Sequence, residues 1–68
     1  MFSLYDCVKL IEPVDGEPVS TDDVGVIIIV FESPRLAYEL EFSGEDGVPF
    51  AQFAVEPHQI RKHADTAA

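Results

Sequence analysis

The chain has 68 residues with one cysteine, and 13 acidic against 4 basic side chains give it a formal net charge of −9. This length fits one domain, and a single cysteine excludes a disulfide framework and a structural zinc site with several cysteine ligands. The charge argues against binding to nucleic acids or anionic membranes, because both normally require a basic surface.

The N-terminal residues 1–6 lack the basic start and the apolar run of a secretory signal. No apolar run in the chain approaches the roughly 20 residues that span a bilayer. Together with the single cysteine, these features predict a cytoplasmic protein.

Residues 5–12 are the first predicted element. Their alternation predicts a strand with Val8 and Leu10 toward the core. The same segment also places Leu4, Val8 and Ile11 on one face of a helix, so both structures remain open here. The β-branched residues and the lack of a helix-capping pattern favour the strand.

Residues 13–23 are predicted to be an acidic loop, because two prolines and the pair Asp15-Gly16 interrupt any regular element. Asp22 and Asp23 are candidate metal ligands. A calcium loop needs further oxygen donors and a closing glutamate at fixed spacing, and the chain lacks that pattern. We therefore predict no metal site.

Residues 24–32 form the central predicted strand, because seven of the eight residues in the run Val24–Phe31 are apolar and most of them are β-branched. Both faces of this strand are apolar, so either both are covered or one is free to bind a partner. Alternation assigns Val26, Ile28 and Val30 to one face and Ile27, Ile29 and Phe31 to the other.

Residues 36–43 give the clearest alternation, with apolar side chains on one face and Glu39 and Glu41 on the other. A glycine-containing hairpin loop leads into a strand at residues 48–56. In that strand Ala51, Phe53 and Val55 are predicted to face inward, and Phe50, Gln52, Ala54 and Glu56 outward.

One 3₁₀ turn at residues 57–59 and a short closing strand at 60–62 complete the predicted domain, which spans residues 1–62. Residues 63–68 lack an apolar anchor and are predicted to fray. The predicted fold is all-β, a small five-stranded SH3-like barrel whose first and last strands pair, a pairing that is expected to remove exposed sheet edges. Its predicted core is Val8, Leu10, Val26, Ile28, Val30, Leu40, Phe42, Phe53, Val55 and Ile60.

The chain resembles a family of short, uncharacterised bacterial proteins. The resemblance spans roughly residues 6–62 and rests on turn glycines and core positions. The matching segments are Asp22-Asp23-Val24-Gly25-Val26-Ile27, Tyr38-Glu39-Leu40-Glu41-Phe42, Glu45-Asp46-Gly47 and His58-Gln59-Ile60. The resemblance implies an SH3-like barrel and no catalytic activity.

Catalytic residue types are few. Cys7 is the only thiol, and His58 or His63 would approach it if the first and last strands pair. Cys7 is expected to be partly buried and structural, because reactive thiols lie in electropositive, exposed surroundings. Glu39 and Glu41 alternate with apolar residues along their strand, a pattern that is typical of carboxylates on a solvent-exposed face. We predict neither an enzyme nor a cofactor.

An apolar surface patch rimmed by acid is typical of a protein-binding site. We therefore predict a small acidic protein-binding module, for example an antidote or immunity protein that caps a basic toxin. The alternative is a structural or accessory-subunit domain that self-associates, as a homodimer for instance, through the face of Ile27 and Ile29. The predicted partner-binding residues are Ile27, Ile29, Glu39, Glu41, Phe50, Gln52 and Glu56.

Overall fold

The computed structural model describes residues 2–63, which form one antiparallel sheet of five strands and a short 3₁₀ turn. The small all-β fold is confirmed, the first element is a strand, and every strand lies within its predicted range. The elements are β1 (Cys7–Leu10), β2 (Gly25–Phe31), β3 (Ala37–Ser43), β4 (Pro49–Val55), the 3₁₀ turn (Pro57–Gln59) and β5 (Ile60–Lys62).

The strand order in the sheet is β4-β3-β2-β1-β5. The predicted pairing of the first strand with the last is confirmed, with Leu10 opposite Ile60. This pairing leaves β4 and β5 as the two edges of the sheet. The expectation that it would remove exposed edges is wrong, because β5 is only three residues long and pairs with β1 alone.

The core lies against one face of the sheet and takes side chains from every strand. Most of the predicted core is confirmed: Val8, Leu10, Leu40, Phe42, Val55 and Ile60 are buried, and Val30 and Phe53 pack half-buried against them. Three further residues belong to it, Val19 of the first loop, Ile27 of β2 and Tyr38 of β3.

A β-bulge interrupts β2 between Ile27 and Ile29. Ile27 lies opposite Leu40, whereas Ile29 lies opposite Glu39, so Ile28 is an extra residue on the β2 side of the ladder. An extra residue shifts the alternation by one position and exchanges the two faces of the strand. The faces of β2 are therefore reversed on either side of Ile28.

The bulge corrects three of the predicted orientations. Ile27 was expected to face outward and is fully buried in the core. Val26 and Ile28 were expected in the core and are only half-buried, outside the core cluster. Beyond the bulge the prediction is correct, since Ile29 is exposed and Val30 packs against the core.

Backbone bonds fix where the bulge occurs. The Ile27 amide donates to the Asp6 carbonyl at 3.0 Å, and the Ile27 carbonyl accepts from the Tyr5 amide at 2.7 Å. Tyr5 has a φ of 73°, so the chain turns at that residue before β1 begins. Ile27 is thus held by the N-terminal segment on one side and by β3 on the other, and the extra residue follows directly.

The loops contribute to the fold as well as connecting strands. The first loop, predicted as loop only, places Val19 in the core and closes a turn in which the Ser20 amide donates to Asp23 Oδ2 at 2.9 Å. In the β3–β4 hairpin, Gly47 has a φ of 79°, a conformation that glycine adopts readily. At the 3₁₀ turn, Gln59 Oε1 accepts from the Glu56 amide at 2.8 Å.

A backbone hydrogen bond holds the C-terminal end of the described residues. The His63 amide donates to the Cys7 carbonyl at 3.0 Å, so the predicted fraying does not hold for His63. Residues 64–68 lie outside the described part of the chain.

Between residues 2 and 63, no helix has the length and apolarity required to cross a bilayer.

Candidate interaction face

Two rows of side chains cross the sheet face that points away from the core. In one row Val26 lies opposite Glu41, and Glu41 lies opposite Gln52. Because neighbouring strands lie about 4.8 Å apart, such rows form one continuous surface. The second row is Ile29, Glu39 and Ala54, and Phe31 lies beside it. We call the surface formed by both rows and Phe31 the outer face: Val26, Ile29, Phe31, Glu39, Glu41, Gln52 and Ala54.

The outer face combines exposed apolar groups with carboxylates. Ile29 is 43% exposed and Phe31 is 39% exposed, although both are large hydrophobic residues. Glu39 and Glu41 stand two residues apart on β3, about 7 Å along the strand. Gln52 Nε2 donates to Glu39 Oε2 at 3.2 Å, which orients that carboxylate across the β3–β4 pair.

Four predicted partner-binding residues, Ile29, Glu39, Glu41 and Gln52, lie together on the outer face. Ile27 does not belong to it. Its side chain lies on the core side opposite Leu40, and both residues have no exposed surface. Since the bulge at Ile28 reverses the strand, Ile27 and Ile29 point to opposite sides of the sheet.

Phe50 is also displaced from its predicted position. Ser43 pairs with Pro49 and Phe42 pairs with Ala51, so Phe50 is the extra residue of a second bulge. Its ring centroid lies 6.4 Å from that of the buried Phe42, next to the core aromatics. Phe50 is 45% exposed, but the bulge removes it from the regular rows that carry Glu41 and Gln52.

Glu56 follows β4 and has a local structural role. Its carboxylate Oε2 accepts from Arg35 Nη1 at 3.0 Å, and its Oε1 lies 3.6 Å from His58 Nδ1. The Gln59 amide also donates to the Glu56 carbonyl at 3.0 Å, which closes the 3₁₀ turn. Glu56 is therefore already paired with a guanidinium, unlike Glu39 and Glu41.

Val26 and Ala54 belong to this surface but are not among the predicted partner-binding residues. Ala54 was assigned outward but gave no sign of binding, since a methyl group contributes little area. Val26 was assigned inward, and nothing in the all-apolar run of β2 marks the extra residue. A signal exists only on β3, where Glu41 requires that its cross-strand neighbour Val26 also face outward.

The four basic residues offset little of the acid. Arg35 pairs with Glu56, and Lys62 Nζ lies 3.6 Å from Asp6 Oδ2. Lys9 and Arg61 lie opposite each other on β1 and β5, away from the carboxylates of β3. The acidic side chains of the outer face thus contribute to an unbalanced net charge of −9.

We predict that the melting temperature rises between very low salt and moderate NaCl. Like charges on a compact domain repel, and salt screens exposed charges over about 8 Å at physiological ionic strength. For a domain of this size, each kcal/mol by which charge repulsion is reduced raises the melting temperature by roughly 4–8 °C. Calorimetry across an NaCl series measures the change, and a flat or falling curve would contradict a concentration of unpaired acid.

Cys7 differs from its prediction. It was expected to be partly buried, but it is exposed, because Val8 rather than Cys7 takes the inward position at the start of β1. His63, the residue that follows β5, is its neighbour, and the bond that joins them is between backbone groups. Over residues 2–63 no group of three or more histidine, cysteine or acidic side chains could hold a metal ion.

A shallow depression lies between the end of β1 and the 3₁₀ turn. It is lined by Ile11, Glu12, Pro13, His58 and Gln59. Glu12 and His58 are its ionisable groups, and both are exposed to solvent.

One comparison with known proteins gives a match. A family model described as "Domain of unknown function (DUF4926)" matches residues 4–62, which include all five strands. No curated protein matches the chain significantly, and neither does any solved structure.

Proposed function

The chain belongs to the DUF4926 family, and we propose that it acts as a small acidic protein-binding module. The observation that carries the proposal is the row Ile29–Glu39, in which an exposed isoleucine stands directly beside a carboxylate on the outer face. Protein interfaces commonly have an apolar centre that loses its water and a polar rim that stays solvated. Ile29 and Phe31 would form the centre, and Glu39 and Glu41 the rim.

The charge of the face favours a basic partner over a second copy stacked on the same face. A symmetric face-to-face contact would bring Glu39 and Glu41 against their own copies, and like charges across an interface are costly. The alternative of self-association through Ile27 and Ile29 loses support as well, because Ile27 is buried in the core. A basic protein would meet complementary charge and the exposed Ile29 at once.

A concrete form of the proposal is an antidote or immunity protein that caps a basic toxin. Carboxylates speed the encounter with a basic surface, and the apolar centre slows dissociation. A compact acidic domain of this size suits such a role. We include an SH3-like barrel in the proposal as the fold type, because β1 pairs with both β2 and β5. We also propose that the protein is bacterial and cytoplasmic.

Affinity capture tests the proposal. Three immobilised proteins are compared in extract from the source cells: the wild type, Glu39→Lys with Glu41→Lys, and the control Glu12→Lys with Glu45→Lys. The control makes the same charge change at two exposed loop positions. We expect a basic protein that the wild type and the control retain, that salt elutes, and that the outer-face variant loses.

Binding kinetics with the purified partner separate the two contributions. Glu39→Lys with Glu41→Lys should slow association by about tenfold or more and flatten its salt dependence. Ile29→Asp should mainly raise the dissociation rate, since loss of a buried anchor acts there. Capture of no basic protein, or equal loss in the loop control, would refute the proposal.

A further inference from the structure

The two edges of the sheet are built differently. β5 is three residues long, and its Arg61 and Lys62 are exposed and charged. β4 is seven residues long and has the sequence PFAQFAV, without a charged side chain. A strand edge presents a row of free backbone amides and carbonyls, which is a template for another strand.

Proteins usually protect such edges with short strands, lysines, prolines or bulges. β5 is protected because it is short and because two of its side chains are charged. On β4 the protection is limited to the first residues, where Pro49 and the bulge at Phe50 interrupt pairing. From Ala51 to Val55 the strand is regular, and it pairs with β3 residue for residue.

We propose that the free edge of β4, from Ala51 to Val55, pairs antiparallel with the same edge of a second copy. The product is a two-fold symmetric dimer with one continuous sheet of twice the number of strands. A two-fold contact uses the same patch on both copies, so the patch must be complementary to itself. A short, uncharged strand meets that requirement in an antiparallel pair.

The distribution of charge favours a second copy as the occupant. In the register centred on Phe53, which keeps the outer faces on one side, Gln52 of one copy meets Ala54 of the other, and both are uncharged. Glu56, which directly follows β4, is paired with Arg35, and the acids of the outer face, Glu39 and Glu41, lie on β3, one strand further in. Across the dimer, β3 of one copy is about 14 Å from β3 of the other, beyond the screening length of about 8 Å.

The edge contact therefore avoids the repulsion that opposes stacking of two outer faces. It also leaves both outer faces free, side by side on one surface. The inference does not depend on the proposed partner of the outer face. A dimer would nevertheless present that partner with two acidic surfaces at once, which increases apparent affinity when both can be engaged.

Sedimentation velocity tests the proposal with the full chain. The weight-average mass of the wild type should rise from the monomer mass of 7.5 kDa toward twice that value as concentration increases, and it should rise further with added salt. The variant Gln52→Lys with Ala54→Lys should stay monomeric. Each new lysine lies beside Glu41 or Glu39 in its own chain, so the fold is retained, but lysines of two copies would meet at the edge.

Glu12→Lys is the control, because it raises the net charge by the same two units and lies near the opposite edge. It should dimerise at least as well as the wild type. Hydrogen exchange should show added protection at residues 51–55 as concentration rises. A wild type that stays monomeric up to about 1 mM protein would overturn the proposal. So would a dimer that Ile29→Lys abolishes and that the edge lysines leave intact.

Discussion

Truncating Ile27 to alanine should lower the free energy of unfolding by about 2–5 kcal/mol. Ile27 has no exposed surface and lies opposite the equally buried Leu40, so the truncation leaves a cavity where packing atoms were. Domains of this length have a total stability of about 3–10 kcal/mol. The variant should therefore lose a large share of its stability, which urea denaturation followed by circular dichroism would measure.

Ile29→Ala is the matched control, since it removes the same atoms two positions along the strand. Ile29 lies on the outer face and is already 43% exposed, so the cost should be below about 1 kcal/mol. Equal costs at the two positions would contradict the bulge at Ile28. The comparison also determines which isoleucine can serve as a binding probe, because a change at Ile27 would alter binding through unfolding.

Gly25→Ala should destabilise the domain by about 1–3 kcal/mol, the usual cost of overpacking a core. An added Cβ would lie 2.7 Å from Cε2 and Cζ of Phe42, the residue opposite Gly25 on β3. The Phe42 ring cannot move away easily, because it is buried and stacks against Phe53 with a centroid distance of 5.6 Å. Thermal melting of the two proteins measures the loss.

A second substitution identifies the cause. Combining Gly25→Ala with Phe42→Leu should cost less than the sum of the two single changes, because the smaller side chain makes room for the Cβ. Gly44→Ala is the control for a loop glycine whose nearest neighbour is the carboxylate tip of Asp46. A neutral effect of Gly25→Ala would show that the close approach to Phe42 is not required by the fold.

The sequence predicts β3 well because polar and apolar residues alternate there. Leu40 and Phe42 are buried as expected, Tyr38 on the same face is buried with them, and Glu39 and Glu41 face outward. The solvent-exposed face of β3 can be recognised from its sequence, and cross-strand pairing then predicts which residues of the neighbouring strands share that face. This is why the outward orientation of Glu39 and Glu41 was predicted correctly.

β2 shows where prediction from the sequence fails. Its run Val26–Phe31 is apolar at every position, so inserting one residue into the alternation changes no visible pattern. The bulge is determined by pairing on both sides of Ile27, with Asp6 and Tyr5 on one and Leu40 on the other. These contacts join segments about 13 to 22 residues distant in the chain, which short-range periodicity does not report.

The same limit explains Phe50 and Val19. The bulge at Phe50 follows from the register in which Ser43 meets Pro49, a property of the whole hairpin. Val19 lies among prolines and acidic residues, a composition typical of exposed loops, yet it is buried in the core. The solvent-facing side of a strand can therefore be located from the sequence only where polar residues mark it.

The pairing of β1 with β5 has a consequence for the order in which the domain folds. The β2–β3–β4 meander joins strands through two short hairpins, whereas the pair Val8–Lys62 closes a loop of about 54 residues. Loop closure loses chain entropy before the new contacts compensate for it, so the meander is expected to form first and β5 to dock last. Contacts made after the rate-limiting step act on the unfolding rate, so the three-residue strand β5 governs the lifetime of the folded domain more than the speed at which it forms.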